Sequence, residues 1–547
     1  MSAAADLVLR GAAVFTGTRP HPTATTVAVT DGRITAVGTD EQVRAVVGRA
    51  RETVRVPGGM ILPGFTDAHV HPIMGGVELD QCDLSGCADE TSTIAAVAAY
   101  AAARPRSPWI LGGGWQSHHF PAGAPTRGQL DAVVPDRPAF LLDAAHHSAW
   151  VNSAALELAG VGAGTPDPAN GRIDRAPDGT PSGLLHERAR ALVEKLVPAT
   201  SDVDAAAGLA RAQRYLHSFG VTGWQDAIVG AYGGHPDHGG VYAEAAARGT
   251  LTARVVGALW WPPETSAAEI GDRVDELVRR RAALSGGRFR ADAVKIMQDG
   301  VAETCTAAML TPYAGACGCG ATGLSHLPSE LLGEVVTRLD AAGFAVHVHA
   351  IGDRAVREAL DAFARARARN GRTGNRHHLA HLQLVHDTDL PRFAGLGVAA
   401  NLQAVWACRD TEMLSTTFPV LGAERAQRQF PFGALHRSGA RLALGSDWPV
   451  STPDVLAAIH VAVNRRPPGD PAAAPLGEGQ ELELTTALHA GTVGSAWLNG
   501  RDDCRVRAGA PADLTVLDRD PFTVPAEELY LVRAALTVAN GQVVHHR

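Results

Sequence analysis

Short apolar runs, interrupted by Gly, Pro and Asp-Gly, occur at both ends of the chain. These β-branched runs cover residues 7–15, 25–30, 34–38 and 53–58 at the amino end, and 512–518 and 535–545 at the carboxyl end. They are typical of short strands joined by turns, and Asn540-Gly541 predicts a hairpin turn in the last run. Neither half can bury a core alone, so we expect residues 1–60 and 505–547 to form one discontinuous β-sandwich domain.

The middle of the chain shows a different pattern, in which apolar strand-like runs alternate with helical stretches. Helical periodicity is clearest in residues 330–343 and 354–370. Eight strand-like runs can be counted, at residues 60–71, 220–227, 252–260, 292–300, 344–353, 377–385, 397–405 and 441–447. Repeated βα units of this number predict an α/β fold, a closed (β/α)8 TIM barrel over residues 61–504.

The spacing of these runs is uneven after the first one. Between His71 and Gly220 lies far more chain than one βα unit needs. We interpret residues of about 73–215 as a large insertion after barrel strand 1 that covers the active-site mouth.

Composition and charge narrow the class of protein. The 547 residues carry 49 Lys and Arg against 57 Asp and Glu, a net charge of −8, with no basic run. This argues against nucleic acid or an anionic membrane surface as the main partner. The chain contains no uninterrupted stretch of about 18 apolar residues, so we predict no transmembrane helix. The amino end does not resemble a secretory signal, and seven cysteines fit a reducing compartment, so we expect a cytoplasmic protein.

The strongest local signal for chemistry is His69-Val70-His71. Residues two apart on a strand point to the same side, so both imidazoles can face one barrel mouth. Imidazole is a good ligand for Zn, Fe and Ni ions. A pair of polar residues at a strand end remains the alternative for this motif taken alone.

Further ligand-type residues follow the other predicted strands. They are Lys295, His347, His349, His381 and Asp447. All lie at or near the carboxyl ends of strands, where barrel active sites assemble. Several such groups converging on one face are hard to explain by packing, so together they predict a metal site.

These residues stand in motifs that resemble a known family. The segments are PGFTDAHVHP (63–72), VKIMQDGVAETCTA (294–307), VHVHAIGDRAV (346–356), HLQLV (381–385) and LGSDWPV (444–450). In combination the chain resembles the amidohydrolase superfamily, in particular its amidohydrolase-3 (YtcJ-like) branch. The resemblance covers nearly the whole chain and implies a metal-dependent hydrolase of C–N bonds in small molecules.

The resemblance also implies a ligand set. His69 and His71 would bind the more buried metal, His349 and His381 the second, and Asp447 would touch the first and shuttle protons. Lys295 stands where related enzymes bridge two metals through an N-carboxylated lysine, because a bare ammonium cannot bind a cation. The alternative is a lysine ion-paired in a site with one metal. His347 matches no ligand position, and we expect it to be structural. We expect zinc, as one or two ions.

The same resemblance implies a mechanism. Two cations about 3.5–4 Å apart would lower the pKa of a bridging water and polarise the substrate carbonyl. Asp447 would accept the water proton and pass it to the leaving nitrogen. His146, in the HHSAW segment, is expected to donate to the oxyanion. We expect Trp115, Gln225, Trp406 and Trp448 to line the substrate pocket, with packing roles as the alternative.

The predicted function is therefore hydrolysis of an amide-type C–N bond, such as that of an N-acyl or N-formyl amine. A deaminase or an esterase on the same metal site, a non-hydrolytic lyase or isomerase, and a non-catalytic binding scaffold remain alternatives. The fold and the metal site do not name a substrate. The oligomeric state is also open, with a homo-oligomer as one possibility.

Overall fold

The computed structural model describes residues 4–120, 123–144, 146, 148–168, 171–314 and 320–547. The chain forms two compact units. The first comprises Met1–His71, Gln213–Gly230 and Asp237–Arg547, and the second comprises Pro72–Ala212 and Ala231–Pro236. Within the described ranges, no helix combines the length and the apolar character needed to cross a bilayer.

The strands alternate with helices through most of the first unit. Up to the end of the second unit's sheet the strands are β1 (Ala5–Arg10), β2 (Ala13–Val14), β3 (Thr26–Thr30), β4 (Arg33–Gly38), β5 (Ala50–Arg55), β6 (Met60–Pro63), β7 (Phe65–Val70), β8 (Cys82–Asp83), β9 (Ile110–Trp115), β10 (Ala139–Asp143), β11 (Ser148–Val151), β12 (Gly171–Arg175) and β13 (Pro181–Glu187). The remaining strands are β14 (Val221–Val229), β15 (Arg254–Trp260), β16 (Phe289–Met297), β17 (Ala345–Ala350), β18 (His378–His381), β19 (Ala399–Leu402), β20 (Arg441–Leu444), β21 (Leu514–Leu517), β22 (Ala534–Ala539) and β23 (Gln542–His546).

The helices of the described ranges follow in chain order. They are α1 (Asp40–Val46), α2 (Pro72–Glu78), α3 (Glu90–Ala103), α4 (Arg127–Asp131), α5 (Ser153–Ala159), α6 (Ala191–Glu194), α7 (Asp202–Ser218), α8 (Gly239–Ala247), α9 (Ile270–Leu284), α10 (Ser329–Ala341), α11 (Asp353–Asn370), α12 (Leu390–Leu396), α13 (Phe418–Leu421), α14 (Ala423–Gln427), α15 (Phe432–Arg437), α16 (Val455–Asn464), α17 (Leu484–His489) and α18 (Ser495–Leu498).

The eight central strands form one parallel sheet that nearly closes into a barrel. Its order is β20-β19-β18-β17-β16-β15-β14-β7. All eight predicted strand runs contribute one strand each, which agrees with the predicted TIM-barrel architecture. Every residue of β7, β18 and β19 is buried, as expected for parallel strands covered on both faces.

The carboxyl end of the first strand, β7, meets the segment that follows the last strand, β20. The backbone N–H of Asp447 donates to the His69 carbonyl at 2.7 Å, and that of His71 donates to the Trp448 carbonyl at 2.8 Å. Gly445 makes this approach possible, because a Cβ there would lie 2.5 Å from His69 Cβ. The joint between β7 and the segment after β20 therefore brings residues 69–71 and 445–448 together.

The two chain ends build two further sheets. One has the order β4-β3-β1-β5, and the other has the order β2-β6-β21-β22-β23. A single buried cluster contains side chains from both sheets, including Leu7, Val29, Ile61, Leu514 and Val538. The predicted hairpin is confirmed, since β22 and β23 pair antiparallel and Asn540 and Gly541 have φ of 53° and 78°. The proposed domain boundaries stay a prediction.

One predicted run proves to be two strands. Residues 60–71 were expected to form one strand, but β6 ends at Pro63 and pairs with β21, whereas β7 begins at Phe65 and pairs with β14. Gly64 separates them, and a Cβ at this position would lie 2.2 Å from Thr222 Oγ1. The chain thus passes from one sheet to another at a residue without a side chain.

The second unit has its own mixed sheet, with the order β12-β13-β11-β10-β9-β8. The strands β8, β9 and β10 are parallel, and the remaining pairs are antiparallel. Two apolar clusters pack in this unit, one that includes Trp115 and Trp150 and one that includes Phe140 and Leu185.

Candidate metal centre

The predicted ligands come from five barrel strands or from the turns that follow them. Their positions are His69 in β7, His71 directly after it, Lys295 in β16, His349 in β17, His381 at the end of β18 and Asp447 after β20. All except His71, which is partly buried, are buried. Strand register sets neighbours side by side, with His349 opposite Met297 and His381 opposite Ala350.

His69, His71 and Asp447 form a compact donor group. Asp447 Oδ1 lies 3.2 Å from His69 Nε2 and 3.0 Å from His71 Nε2. One donor atom from each residue lies within 4.8 Å of the others. Two donors bound at about 2.1 Å to one Zn²⁺ in tetrahedral geometry lie about 3.4 Å apart. The three side chains therefore fit a single divalent cation.

His381 and His349 lie beside this group. The His381 Nδ1 atom is buried, has no hydrogen-bond partner among the described residues, and lies 4.0 Å from Asp447 Oδ2. The rings of His349 and His381 are 4.3 Å apart. His349 Nε2 lies 3.2 Å from the Gly300 carbonyl, to which it can donate. The orphaned His381 nitrogen is what a missing cation would leave.

Burial keeps these imidazoles neutral. It lowers the pKa of His69 and of His349 to about 3, with the nearby Lys295 as the next cause. Burial also lowers the pKa of His381 well below its usual range. A neutral ring keeps one nitrogen lone pair, which is the form that binds a metal. At neutral pH, His69, His349 and His381 therefore have the protonation state that metal binding requires.

Asp447 carries the negative charge of the group. Burial alone would raise the pKa of its carboxyl, but interactions with His69 and His71 hold that pKa well below its ordinary value. Asp447 also has a φ of 58°, and His381 has a φ of 78°. Left-handed backbone at non-glycine residues costs energy and clusters at functional sites.

Lys295 is enclosed in the same interior. The residue is 1% exposed, and burial lowers the pKa of its ammonium to about 7. The negative charge of Asp447 acts against this shift and favours the ammonium form. An ammonium group enclosed in this way loses its hydration, which favours the neutral amine.

Several polar residues that the sequence analysis did not select hold the ligands in place. Asp67 Oδ1 accepts the backbone N–H of His69 at 3.1 Å and that of Ser446 at 2.9 Å. Gln403 Oε1 accepts the backbone N–H of His381 at 2.7 Å. Asp67 lies two residues before His69 on one strand, so alternation could have indicated it. For Gln403, its position directly after strand β19 was the only signal.

Three of the predicted pocket residues lie in the first unit. Trp406 is partly buried and stacks on the His381 ring, with centroids 5.9 Å apart. Trp448 is nearly buried, with its ring 5.3 Å from that of Tyr215. Gln225 is fully buried and bonds His378 and Asn499 deep in the barrel. The geometry sets Trp406 beside the ligands and gives Gln225 a structural hydrogen-bond role, while their contacts with substrate stay predictions.

The fourth predicted pocket residue, Trp115, and the predicted oxyanion donor, His146, lie in the second unit. Trp115 is buried in its core, where Nε1 donates to the Leu141 carbonyl at 2.9 Å. His146 has a φ of 61°, and its carbonyl accepts a hydrogen bond from Arg190. The neighbouring residue 147 lies outside the described residues. The expected roles of Trp115 and His146 toward substrate stay predictions.

Comparison with known proteins adds a family to this geometry. The amidohydrolase family model matches residues 55–545. YtcJ of Bacillus subtilis (strain 168) is 31% identical over 523 residues, which is 95% of each chain. The N-substituted formamide deformylase of Arthrobacter pascens is 28% identical over 561 residues, covering 99% of this chain and 98% of that one. The solved structure of an uncharacterized metal-dependent hydrolase from Pyrococcus horikoshii OT3 has a TM-score of 0.73 at 25% identity, covering 95% of this chain and 99% of the other.

Sequence, fold and site thus agree. The family model covers most of the chain, the relatives match it almost end to end, and the barrel presents a His-His-Asp group able to hold a metal. The chain belongs to the amidohydrolase family, among relatives that include metal-dependent hydrolases.

Proposed function

We propose that this protein hydrolyses an amide-type C–N bond of a small molecule with the help of a divalent cation, for which zinc is the first candidate. The observation that carries the proposal is the donor group of His69, His71 and Asp447, whose ligand atoms lie within 4.8 Å of one another. His349 and His381, with Lys295, would hold a second ion.

The chain's own residues would divide the work around that cation. A bound divalent cation lowers the pKa of water and polarises a carbonyl oxygen. Asp447, which is ionised, would accept the proton of the attacking water at Oδ2, the oxygen farther from His69 and His71. It would then deliver that proton to the leaving nitrogen, because an amine departs readily only when protonated. The buried walls around Lys295 and His349 would exclude bulk water.

Lys295 would take part as a carbamate. Its neutral amine would attack the carbon of CO₂, a C–N bond would form, and one proton would leave, which converts the residue into an anionic oxygen ligand. Two observations support this. Lys295 is buried, with its pKa lowered to about 7. It is also one of only two lysines, with Lys195, in a chain that otherwise uses arginine. A guanidinium cannot form this carbamate, so the retention of lysine here has a chemical reason.

For the substrate we propose an N-formyl or other N-acyl amine. The support is the similarity over nearly full length to a protein named for deformylation of N-substituted formamides. Trp406, stacked on His381 and partly exposed, would offer an aromatic face next to the reacting carbon.

Metal content tests the site first. Wild type, Lys295→Ala and the control Lys195→Ala should be purified in parallel and their metal per chain measured by elemental analysis. We expect close to two ions in wild type and in the control, and one or fewer in Lys295→Ala. One ion in all three would contradict the bridging lysine, and no ion in any of them after reconstitution would contradict the hydrolase.

Labelling with ¹³C-bicarbonate tests the carbamate directly. Because the chain has two lysines, we expect one carbamate signal in the ¹³C spectrum of wild type and of Lys195→Ala, and none in Lys295→Ala. A signal that survives in Lys295→Ala would place the modification elsewhere.

Turnover tests the reaction. A panel of N-formyl amines, N-acyl amines, esters and aminated heterocycles should be assayed with and without a chelator, with Asp447→Asn as the inactive reference. Chelator-sensitive release of formate and amine supports the proposal. Release of ammonia with a hydroxylated heterocycle would favour a deaminase, and release of an alcohol with an acid from the esters alone would favour an esterase. A product of unchanged mass would favour an isomerase. Metal binding without turnover of any class would favour a scaffold.

A further inference from the structure

His347 lies behind the donor group and touches it through one atom pair. Its side chain is fully buried in β17, and its Nε2 atom lies 3.0 Å from His69 Nδ1. The two rings meet edge to face, with centroids 4.7 Å apart at 78°. The other nitrogen of His69, Nε2, points to Asp447 Oδ1 at 3.2 Å. His69 thus contacts Asp447 through one ring nitrogen and His347 through the other.

This arrangement couples the protons of the two rings. A neutral imidazole carries one proton, on either nitrogen. If His69 Nε2 gives its lone pair to a cation, the His69 proton must be on Nδ1, which then donates to His347 Nε2. His347 must in turn carry its own proton on Nδ1.

Among the described residues, His69 is the hydrogen-bond partner that the structure gives to the His347 ring. Its Nδ1 atom is buried and has no hydrogen-bond partner among the described residues. Its other close ring neighbour is His378, at 4.3 Å, which bonds Gln225 instead. No carboxylate of the described chain bonds His69 Nδ1, although a carboxylate or carbonyl is the usual partner of a metal-binding histidine. His347 fills that place.

We infer that His347 is a positioning residue, which holds the His69 ring in place and fixes its proton on Nδ1 so that Nε2 can bind the cation. The inference rests on the proposed metal site. It assigns a role to a histidine that the family motif does not select as a ligand. It also predicts that metal binding requires a hydrogen-bond acceptor at the position of His347 Nε2, and that it requires no other property of this histidine.

Zinc affinity tests the inference without any substrate. The full-length chain should be titrated with Zn²⁺ against a chromophoric chelator, as wild type, His347→Leu and His347→Gln. We expect His347→Leu to bind Zn²⁺ about 10- to 100-fold more weakly, the range seen when such partners are removed. His347→Gln should stay within about threefold of wild type, because the glutamine carbonyl reaches the position of Nε2. The visible spectrum of Co²⁺ should change in His347→Leu and be restored in His347→Gln.

His378→Leu is the matched control. His378 is equally buried and adjoins His347, but it does not bond His69, so its loss should cost stability without weakening Zn²⁺ binding by more than about threefold. If His347→Leu does not fold, His347→Asn replaces it, since the asparagine carbonyl is one carbon too short and should bind as weakly.

The outcomes separate two failures. If wild type binds Zn²⁺ and His347→Leu binds it with equal affinity, the role of His347 is overturned, while the proposed metal site stands. The same holds if His347→Gln binds Zn²⁺ as weakly as His347→Leu. Wild type that binds no Zn²⁺ overturns the proposed function and this inference with it.

Discussion

Asp299 shows how much one buried carboxylate can organise. It is fully buried and accepts the backbone N–H groups of Ala308, Ile351 and Gly352 at 2.8–3.0 Å. It therefore connects the loop after β16 to the segment after β17. His349 lies in β17, directly before that segment. In Asp299→Asn, the new amide N–H₂ must face one of these donors, and we expect the free energy of unfolding to fall by about 1–3 kcal/mol.

Denaturation by urea measures this loss. The control is Asp292→Asn in the preceding strand β16, because the Asp292 carboxylate is partly exposed and pairs with Arg290 at 3.2 Å. It should cost less than about 1 kcal/mol. Equal losses in the two variants would show that the three backbone bonds contribute nothing special.

A second prediction at the residue scale concerns pH. His217 is buried, with Nδ1 2.8 Å from the Val221 carbonyl and Nε2 2.8 Å from Thr252 Oγ1, and burial lowers its pKa to about 4. The unfolded chain, with an ordinary pKa near 6.5, binds this proton first as pH falls. The stability that His217 contributes is therefore complete above about pH 6.5 and is lost as the pH approaches 4.

The loss between pH 7.5 and pH 5 should be about 2 kcal/mol for this residue. His217→Gln removes the titrating group, so its stability should fall less than that of wild type over this interval, whatever its stability at pH 7.5. Urea unfolding at the two pH values measures the difference. Parallel losses in the two proteins would exclude His217 as a source of acid sensitivity.

At the scale of elements, the joint between β7 and the segment after β20 depends on Gly445. A Cβ there would lie 2.5 Å from His69 Cβ and 2.7 Å from His69 N. We expect Gly445→Ala to push His69 away from Asp447, to lose about 1–3 kcal/mol of stability, and to retain less metal after dialysis. Elemental analysis and urea unfolding check both effects.

Gly395→Ala is the control for this change. Gly395 lies in α12, and a Cβ there would meet no atom within 4 Å. Alanine is favoured over glycine in a helix by about 0.5–1 kcal/mol, so this variant should be as stable as wild type or more so. A Gly445→Ala variant that behaves in the same way would contradict the close approach.

The barrel strands were predictable because each is a short apolar run bounded by turn residues, and five of the eight carry or precede ligand-type side chains. The division at Gly64 was not, because an unbroken apolar run does not reveal that the chain changes sheets. Within the site, His69 and His71 follow from alternation along one strand. The contacts of Gln403 with His381, or of His347 with His69, depend on register between strands, which local pattern does not contain.

At the scale of the whole molecule, the donors lie on strands from both ends of the barrel sequence. The donors come together only in the folded chain, so a cation that binds them stabilises the folded state and not the unfolded state. Adding Zn²⁺ at about 100 times its dissociation constant should raise the free energy of unfolding by about 2.7 kcal/mol and increase the melting temperature. Calorimetry measures the shift, and a chelator should reverse it. The double variant His69→Ala, His71→Ala should show none, and an equal shift there would point to binding elsewhere.

The pairing of β6 with β21 has a consequence for synthesis. These strands exchange backbone hydrogen bonds although Met60–Pro63 and Leu514–Leu517 lie at opposite ends of the chain. A ribosome that adds 5–20 residues per second makes the second strand about 20–90 s after the first. During that time the edge of β6 has no partner, and a nascent chain presents Ile61 and Leu62 to other chains and to chaperones. Yield should therefore depend on the speed at which the last residues emerge.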